Sequence, residues 1–232
     1  MSKKPLILIT NDDGITAPGI RSLIKVMNEI GEVIVVAPDS PQSAMGHAIT
    51  INSTLHCSKI KLDDGPQKEY SCSGTPADCI KLAVNELMDR KPDICVSGVN
   101  HGSNSSINVI YSGTMSAALE AGILGIPAIG FSLLDYRWNA NFDPLKPAIK
   151  SITENAIKNG IPKNVVLNVN MPKVDSSKEL MGIKICRQAK AHWIEEFDKR
   201  TNPMGKEYYW LTGELINKDK GEDTDEWALN KK

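Results

Sequence analysis

The sequence has few aromatic residues and lacks any cysteine pattern typical of a disulfide framework or a zinc site. Its five cysteines are scattered and odd in number, and none belongs to a Cys-x-x-Cys pair. Cys79 and Cys95 lie within apolar runs, so we interpret them as small core residues.

The sequence also lacks a charge excess of either sign. Its formal net charge is −1, whereas proteins that bind nucleic acid or anionic membranes usually carry a basic excess. One local site is nevertheless enough to bind a small anion. We therefore expect neither a nucleic-acid polymer nor a membrane as a partner.

Long apolar runs are absent as well. No stretch approaches the roughly 20 apolar residues of a membrane span, and the apolar stretch after Lys3 and Lys4 is too short for a signal peptide. We expect a soluble, cytoplasmic protein. There is no G-x-G-x-x-G and no G-x-x-x-x-G-K-[ST], so neither a dinucleotide cofactor nor a P-loop nucleoside triphosphatase is supported.

What the sequence does contain is an alternation of buried strands and amphipathic helices, typical of a doubly wound α/β fold with a mostly parallel sheet. The 232 residues, 41% of them hydrophobic, suffice for one or two domains with a sizeable core. The predicted strands are Leu6–Thr10, Val33–Ala37, Asp93–Ser97, Ala128–Phe131 and Val165–Val169, and the predicted helices begin near Pro18, Pro76, Thr114 and Pro144.

Two regions depart from this alternation. Residues 48–72 show loose polar and apolar alternation followed by a turn, which predicts an antiparallel excursion. Beyond Lys173 the chain becomes more polar, with predicted extended pieces at 182–187 and 207–212. We interpret this tail as hairpin material that serves contacts between subunits, and we expect its last dozen charged residues to be frayed.

Polar clusters follow the predicted parallel strands at the ends where such sheets bind ligands. "NDDG" places Asp12 and Asp13 after the first strand, "DSPQSAMGH" places Ser43 after the second, and "SGVNHGSN" places Asn100 after the Asp93–Ser97 strand. The loop "YSGTMSA" then enters a helix, whose N-terminal N–H groups suit an anion.

Two adjacent carboxylates repel each other unless a cation or a shared proton compensates. Oxygen donors from Asp, Ser and Asn suit magnesium, manganese or calcium rather than zinc. The alternative for each piece is structural: "NDDG" forms an Asx-type turn with solvated acids, Ser43 is a loop serine and Asn100 completes a turn.

Other polar residues have open roles. His47 and His101 are either general acids for a leaving alkoxide or surface loop histidines. "SGTPAD", residues 73–78, is typical of a capped helix start, and Glu120 in a small-residue helix is predicted to be structural.

Five motifs in order make the sequence recognisable. "ILITNDDGI", "VVAPDSPQSAMGHAIT", "SGTPADCIKLA", "DICVSGVNHGSN" and "YSGTMSAALEAG" together resemble the SurE family of survival-protein nucleotidases. "NPMGKEYYWLTGE" resembles a later segment of the same family.

The resemblance implies a divalent-metal-dependent phosphatase that acts on nucleoside 5′- and 3′-monophosphates, and on short-chain polyphosphate. It implies that Asp12 and Asp13 are catalytic and that one Mg²⁺ or Mn²⁺ per subunit supplies the chemistry. The implied metal ligands are Asp12, Asp13, Ser43 and Asn100, and the implied phosphate contacts are Asn104, Ser112, Gly113 and Thr114.

For the fold, the resemblance implies a single domain made of a Rossmann-like core, about residues 1–172, with a protruding β-hairpin and a C-terminal extension, about residues 173–232. That extension is expected to form a homodimer or homotetramer. The family pattern also leads us to expect a further segment similar to "GYVSITPL" after "DTDEWALNKK", where this chain stops.

Two other functions remain open at this point. Asp12 could act as a covalent nucleophile that forms an aspartyl-phosphate, although such phosphatases usually show a D-x-D spacing. The chain could instead be a nucleotide-binding sensor or scaffold without turnover. Trapping with a phosphate mimic tests the first alternative, and nucleotide binding without phosphate release would support the second.

Overall fold

The computed structural model of the protein describes residues 4–231. Seven strands form the central sheet: β1 (Leu6–Thr10), β2 (Glu32–Pro38), β3 (Cys57–Ile60), β4 (Lys68–Cys72), β5 (Ile94–His101), β6 (Ala128–Leu133) and β7 (Leu167–Met171). Their order is β3-β4-β2-β1-β5-β6-β7, and every pairing is parallel except that of β3 with β4. The predicted α/β class with a mostly parallel sheet is confirmed.

Helices cover both faces of this sheet. They are α1 (Pro18–Ile30), α2 (Pro76–Leu82, continued by a π-helical turn at Ala83–Leu87), α3 (Gly113–Ile123), α4 (Lys146–Asn159) and the short C-terminal α5 (Asp225–Leu229). A separate antiparallel hairpin consists of β8 (Ala191–Thr201) and β9 (Glu207–Asn217). This hairpin is the protruding element that the resemblance implies.

The apolar strand β1 explains why the sheet is buried on both sides. Successive side chains point to opposite faces, so Ile7 and Ile9 join the cluster that contains α1 and α4, while Leu8 joins the cluster that contains α2 and α3. All five residues of β1 are buried. A strand that buries both faces has no position for a charged side chain until it ends, which is why the first acidic residues come directly after it.

Most helix starts follow the proline signals in the sequence. Pro18 begins α1 and Pro76 begins α2, where Thr75 forms a capping box with Asp78. Gly19 lies so close to β5 that a Cβ atom there would be 1.9 Å from the Val99 carbonyl oxygen. Helix α1 is thus packed tightly against the end of β5 that carries Asn100.

Several local predictions were wrong. The antiparallel excursion predicted within residues 48–72 is confirmed by the pairing of β3 with β4, but residues 48–55 form no strand, and the first strand of the pair is β3 at the edge of the main sheet. Residues 182–187 are irregular apart from one bridge between Arg187 and Thr224. Residues 221–231 are not frayed, since Thr224 is fully buried and caps α5; Lys232, which the same prediction included, lies outside the described residues.

Strand β8 was missed because its side chains are almost all exposed, so it lacks the apolar alternation that marks a strand packed on a core. Within residues 4–231, no helix is both long and apolar enough to cross a membrane.

Candidate active site

The predicted metal ligands lie at the carboxyl-terminal ends of neighbouring strands of the sheet. Asp12 and Asp13 follow β1, Ser43 lies in the loop after β2, and Asn100 is the next-to-last residue of strand β5. Because β2, β1 and β5 are neighbours, their carboxyl ends meet at one edge of the sheet, as expected for ligand sites in open α/β sheets.

Asp12 is enclosed by the start of α3. It is 4% exposed, and the Thr114 hydroxyl donates a hydrogen bond of 2.5 Å to its Oδ1. A Cβ atom on Gly113 would lie 2.5 Å from the Asp12 Cβ, so only glycine allows this close approach. The first turn of α3 therefore fixes the position of one carboxylate oxygen.

The hydrogen bonds to Asp12 and Asp13 offset only part of the cost of holding two negative charges side by side. Burial, followed by the charge of Asp13, raises the pKa of Asp12 to about 7, although hydrogen bonds from Thr114 and backbone N–H groups oppose the shift. Burial also raises the pKa of Asp13, against a hydrogen bond from the His101 backbone. A cation placed between them would offset both effects.

The end of β5 presents polar groups to the same place. The His101 N–H donates to Asp13 Oδ2 at 3.1 Å. The Asn100 Nδ2 donates to the carbonyl oxygens of Gly102, at 2.7 Å, and His101, at 3.3 Å. With its amide nitrogen committed to the backbone, Asn100 keeps its Oδ1 as an acceptor for a ligand.

A register shift helps to aim this segment. The pairing of β5 with β6 is irregular between Ser97 and Asn100, and such bulges re-aim side chains near functional sites. On the inner side, the hydroxyls of Thr10 and Ser97 are buried without a hydrogen-bond partner and occupy paired positions of β1 and β5. The Oδ1 of Asn11 is likewise buried and without a partner.

The loop that carries Ser43 is tied to both sides of the site. The Gln42 N–H donates to the Asp12 carbonyl at 2.7 Å, and the Gly46 N–H donates to the Tyr111 carbonyl at 3.3 Å. Ser43 itself is exposed. The structure thus places Ser43 one residue from a direct contact with the Asp12 backbone.

The residues predicted to contact phosphate are already engaged within the fold. The Asn104 Nδ2 donates to Ser132 Oγ at 2.8 Å, and its N–H donates to Asn170 Oδ1 at 2.7 Å. Ser112 accepts from the Met115 N–H at 3.0 Å as the N-cap of α3, and Thr114 binds Asp12. A phosphate would have to use the groups that these bonds leave free.

Supporting residues that the sequence did not indicate surround Asn104. Asn168 and Asn170 of β7 hold its backbone, the former through a bond of 2.9 Å to its carbonyl. The only sequence signal for them is the polar alternation in "NVNM". Two acids of α5 hold the same loop. Asp225 Oδ2 accepts a hydrogen bond of 2.7 Å from the Ser106 N–H, and Glu226 Oε1 accepts one of 2.5 Å from the Ser105 hydroxyl.

The two loop histidines have different surroundings. His47 Nε2 lies 2.9 Å from Glu120 Oε2, and the Lys81 ammonium binds the other oxygen of Glu120 at 2.6 Å. This ion-pair cluster agrees with the structural role predicted for Glu120. His101 stacks on Trp138, with ring centroids 5.8 Å apart, and its Nδ1 lies 2.9 Å from the Arg137 carbonyl oxygen.

The donor set fits a hard divalent cation. Across residues 4–231, no group of three or more His, Cys, Asp or Glu side chains is arranged to hold a metal. A cation at this edge would therefore combine two carboxylates with neutral oxygens, such as those of Asn100 and Ser43, and with water or a substrate. Few protein ligands and several open positions are typical of magnesium sites that act on phosphates.

Comparisons with known proteins all indicate one family. The family described as "Survival protein SurE" matches residues 7–195. A protein of Flavobacterium psychrophilum named 5′-nucleotidase SurE is 74% identical over 97% of this chain and 88% of its own length. A protein of Christiangramia forsetii with the same name is 71% identical, over 98% and 87%.

A solved structure gives the same result for the fold. The crystal structure of the SurE protein from Aquifex aeolicus superposes with a TM-score of 0.82 at 38% identity, covering 97% of this chain and 89% of that one. This chain belongs to the SurE survival-protein family.

Proposed function

We propose that this protein is a divalent-metal-dependent nucleotidase that hydrolyses nucleoside 5′- and 3′-monophosphates to nucleoside and phosphate, and that also cleaves short-chain polyphosphate. The observation that carries the proposal is the pair of adjacent carboxylates at the end of β1. Asp12 is buried against the N-terminus of α3, and the half-buried Asp13 accepts a hydrogen bond from the His101 N–H, next to Asn100 in β5. The relatives named 5′-nucleotidase SurE support the choice of a nucleotide as substrate.

In this proposal one Mg²⁺ or Mn²⁺ per subunit is held by Asp12, Asp13, Ser43 and Asn100. The uncompensated charge of the two carboxylates and the free Oδ1 of Asn100 support this set. When bound, such a cation polarises the phosphoryl group and lowers the pKa of a water molecule.

The protein's own residues supply positioning. Thr114 holds Asp12 so that the carboxylate can orient the attacking water or accept its proton. In this proposal, the non-bridging oxygens of the phosphate are bound by the loop of Asn104 and by those N–H groups at the start of α3 that the bonds to Ser112 and Asp12 leave free. The hydrogen bonds around Asn104 hold the loop in place, as transition-state stabilisation by fixed donors requires.

The nucleobase also needs a surface, and Trp138 offers one. One face of its indole stacks on His101 with an interplanar angle of 8°, yet the residue is 60% exposed. Since the His101 backbone binds Asp13, His101 links the indole to the proposed metal ligands in space. A base stacked there would extend the existing pair of rings.

For the assembly, we propose that residues 173–232 form a C-terminal extension that makes a homodimer or homotetramer. The hairpin exposes large apolar side chains that a second copy of the chain would cover: Trp193, Ile194, Phe197, Tyr208, Tyr209, Trp210 and Leu211. A cytoplasmic location remains a prediction from the sequence.

The experiment is phosphate release from 5′- and 3′-nucleoside monophosphates, ribose 5-phosphate and tripolyphosphate, with magnesium, manganese or excess chelator. We expect release that is abolished by chelator and strongest on nucleotides. Asp13→Asn should lose metal affinity and turnover while staying folded, and Asp64→Asn, at an exposed position, is the matched control. Turnover that survives chelator, or a fully active Asp13→Asn variant, would overturn the proposal. Nucleotide binding without any release would indicate a sensor.

A further inference from the structure

A pair of cysteines lies on the outer strand β3 and its neighbour β4, away from the carboxylates. Strands β3 and β4 pair in antiparallel register, with Cys57 directly opposite Cys72. The Ser73 N–H donates to the His56 carbonyl at 2.9 Å, and this bond, one residue outside the pair, identifies Cys57 and Cys72 as a non-hydrogen-bonded pair.

That register sets the separation of the two Cα atoms and places both side chains on one face of the sheet. In non-hydrogen-bonded antiparallel pairs the Cα atoms are about 4.5 Å apart and the side chains lie close together on one face. Disulfides span Cα separations of about 4.4–6.8 Å. The two cysteines therefore have the backbone placement of a disulfide without any movement of the strands.

The two thiols differ in exposure and acidity. Cys57 is partly exposed, whereas Cys72 is buried. A hydrogen bond with the Cys79 thiol lowers the pKa of Cys72 to about 7, against the effect of burial, and the Gly74 backbone N–H contributes to the lowering. Burial raises the pKa of Cys57. Cys57 is thus the thiol that a small molecule can reach, and Cys72 is the better nucleophile behind it.

We propose that Cys57 and Cys72 form a reversible dithiol–disulfide site that is oxidised by low-molecular-weight disulfides such as oxidised glutathione. The Cys57 thiolate attacks one sulfur of the small disulfide, its S–S bond breaks, and one thiolate leaves with the electron pair. The Cys72 thiolate then attacks the Cys57 sulfur and expels the second small thiolate. Two protein thiols are oxidised, one small disulfide is reduced to two thiols, and the two protons pass to the leaving thiolates.

The cysteine pair connects to both ends of the loop that carries Ser43. The Asp39 N–H donates to the Cys72 carbonyl at 2.8 Å, and Cys57 ends the same loop at its other side. Oxidation would therefore join both anchors of the segment 39–57 covalently. The proposal does not depend on the nucleotidase activity, because it concerns the thiols alone.

The test equilibrates the full-length protein with defined ratios of reduced and oxidised glutathione, blocks free thiols by alkylation and maps the peptides by mass spectrometry. We expect a cross-linked peptide pair containing Cys57 and Cys72 that disappears on reduction. Cys57→Ser should abolish it, and Cys186→Ser, which removes the other partly exposed cysteine, should leave it unchanged.

A trapping variant tests the order of the two steps. Cys72→Ala should accumulate one glutathione on Cys57, because the second thiolate is missing. If this buried substitution prevents folding, the wild-type peptide map still decides the question. Free thiols at Cys57 and Cys72 under strongly oxidising ratios, a Cys72–Cys79 bond in place of Cys57–Cys72, or cross-links only between chains would each overturn the proposal.

Discussion

Thr114 donates its hydroxyl hydrogen bond to Asp12 Oδ1 at 2.5 Å, so the first turn of α3 is joined directly to the end of β1. The two residues are 102 positions apart in the chain. This contact orients a carboxylate that we propose to be both a metal ligand and a catalytic group. The threonine itself acts by positioning, because its hydroxyl is already committed to Asp12.

Removing that hydroxyl should weaken metal binding and turnover together. Thr114→Val keeps the shape of the side chain but frees Asp12 Oδ1, and loss of a residue that orients a metal ligand typically costs about 10–100-fold in affinity or activity. Calorimetric metal titration and phosphate release measure the two effects.

The matched control for this variant is Thr153→Val. Thr153 is also fully buried in a helix, but its hydroxyl donates to the Ile149 carbonyl within α4. The Thr153→Val variant should therefore have an unchanged metal affinity. Equal effects of the two substitutions would mean that Thr114 matters only for folding.

Trp138→Ala should raise KM for nucleotides without affecting substrates that lack a base. Stacking of a base on an aromatic ring is worth about 1–3 kcal/mol, which corresponds to an increase in KM of roughly 5–150-fold. Steady-state kinetics on a nucleoside 5′-monophosphate and on ribose 5-phosphate separate the two cases. An equal change for both substrates would contradict the role of Trp138 as a base platform. Ile123→Ala, at an exposed position near the C-terminal end of α3 and outside the proposed subunit interface, is the control.

The hairpin should determine the oligomeric state. Phe197 and Leu211 are directly opposite each other in β8 and β9, and they are 67% and 66% exposed. Replacing both by Glu would place charges in the interface that we propose, so light scattering after gel filtration should show a smaller species than the wild type. Lys206→Glu, in the turn, is the control for added negative charge. A monomeric wild type would contradict the proposed assembly.

Asp78 should stabilise the fold above pH 4 and lose this effect in acid. Burial raises its pKa, but hydrogen bonds from Thr50 and Thr75 outweigh burial, so the net shift is downward from 3.8. A carboxyl with a lowered folded-state pKa contributes stability that is present above its unfolded pKa and is lost as the pH falls through the folded value.

Asp78→Asn should therefore reduce the free energy of unfolding at pH 7 by about 1–2 kcal/mol, since it weakens both the capping box and the Thr50 bonds. The difference from wild type should shrink below pH 4. Urea denaturation at several pH values measures it, with Asp64→Asn as the exposed control. A difference that stays constant down to acid pH would show that the charge of Asp78 is unimportant.

Local sequence was enough to predict several strands and helices, and to predict that the site lies at the carboxyl-terminal ends of the parallel strands. Continuous apolar residues from Leu6 to Thr10 predicted a strand buried on both faces, and Pro18 and Pro76 marked helix starts. Such signals are local, because burial and the fixed φ of proline act within a few residues. The exposed strand β8 carried no such signal and was missed.

The sequence by itself determined the α/β class, the adjacent acids after β1 and the family resemblance. Only the tertiary structure decided which distant groups meet: Thr114 with Asp12, Asp225 with Ser106, and Cys57 with Cys72. These pairs depend on strand order and on register, and a shift of one residue in a strand moves every side chain to the opposite face. No local pattern encodes that register, because it is set by the packing of the whole sheet.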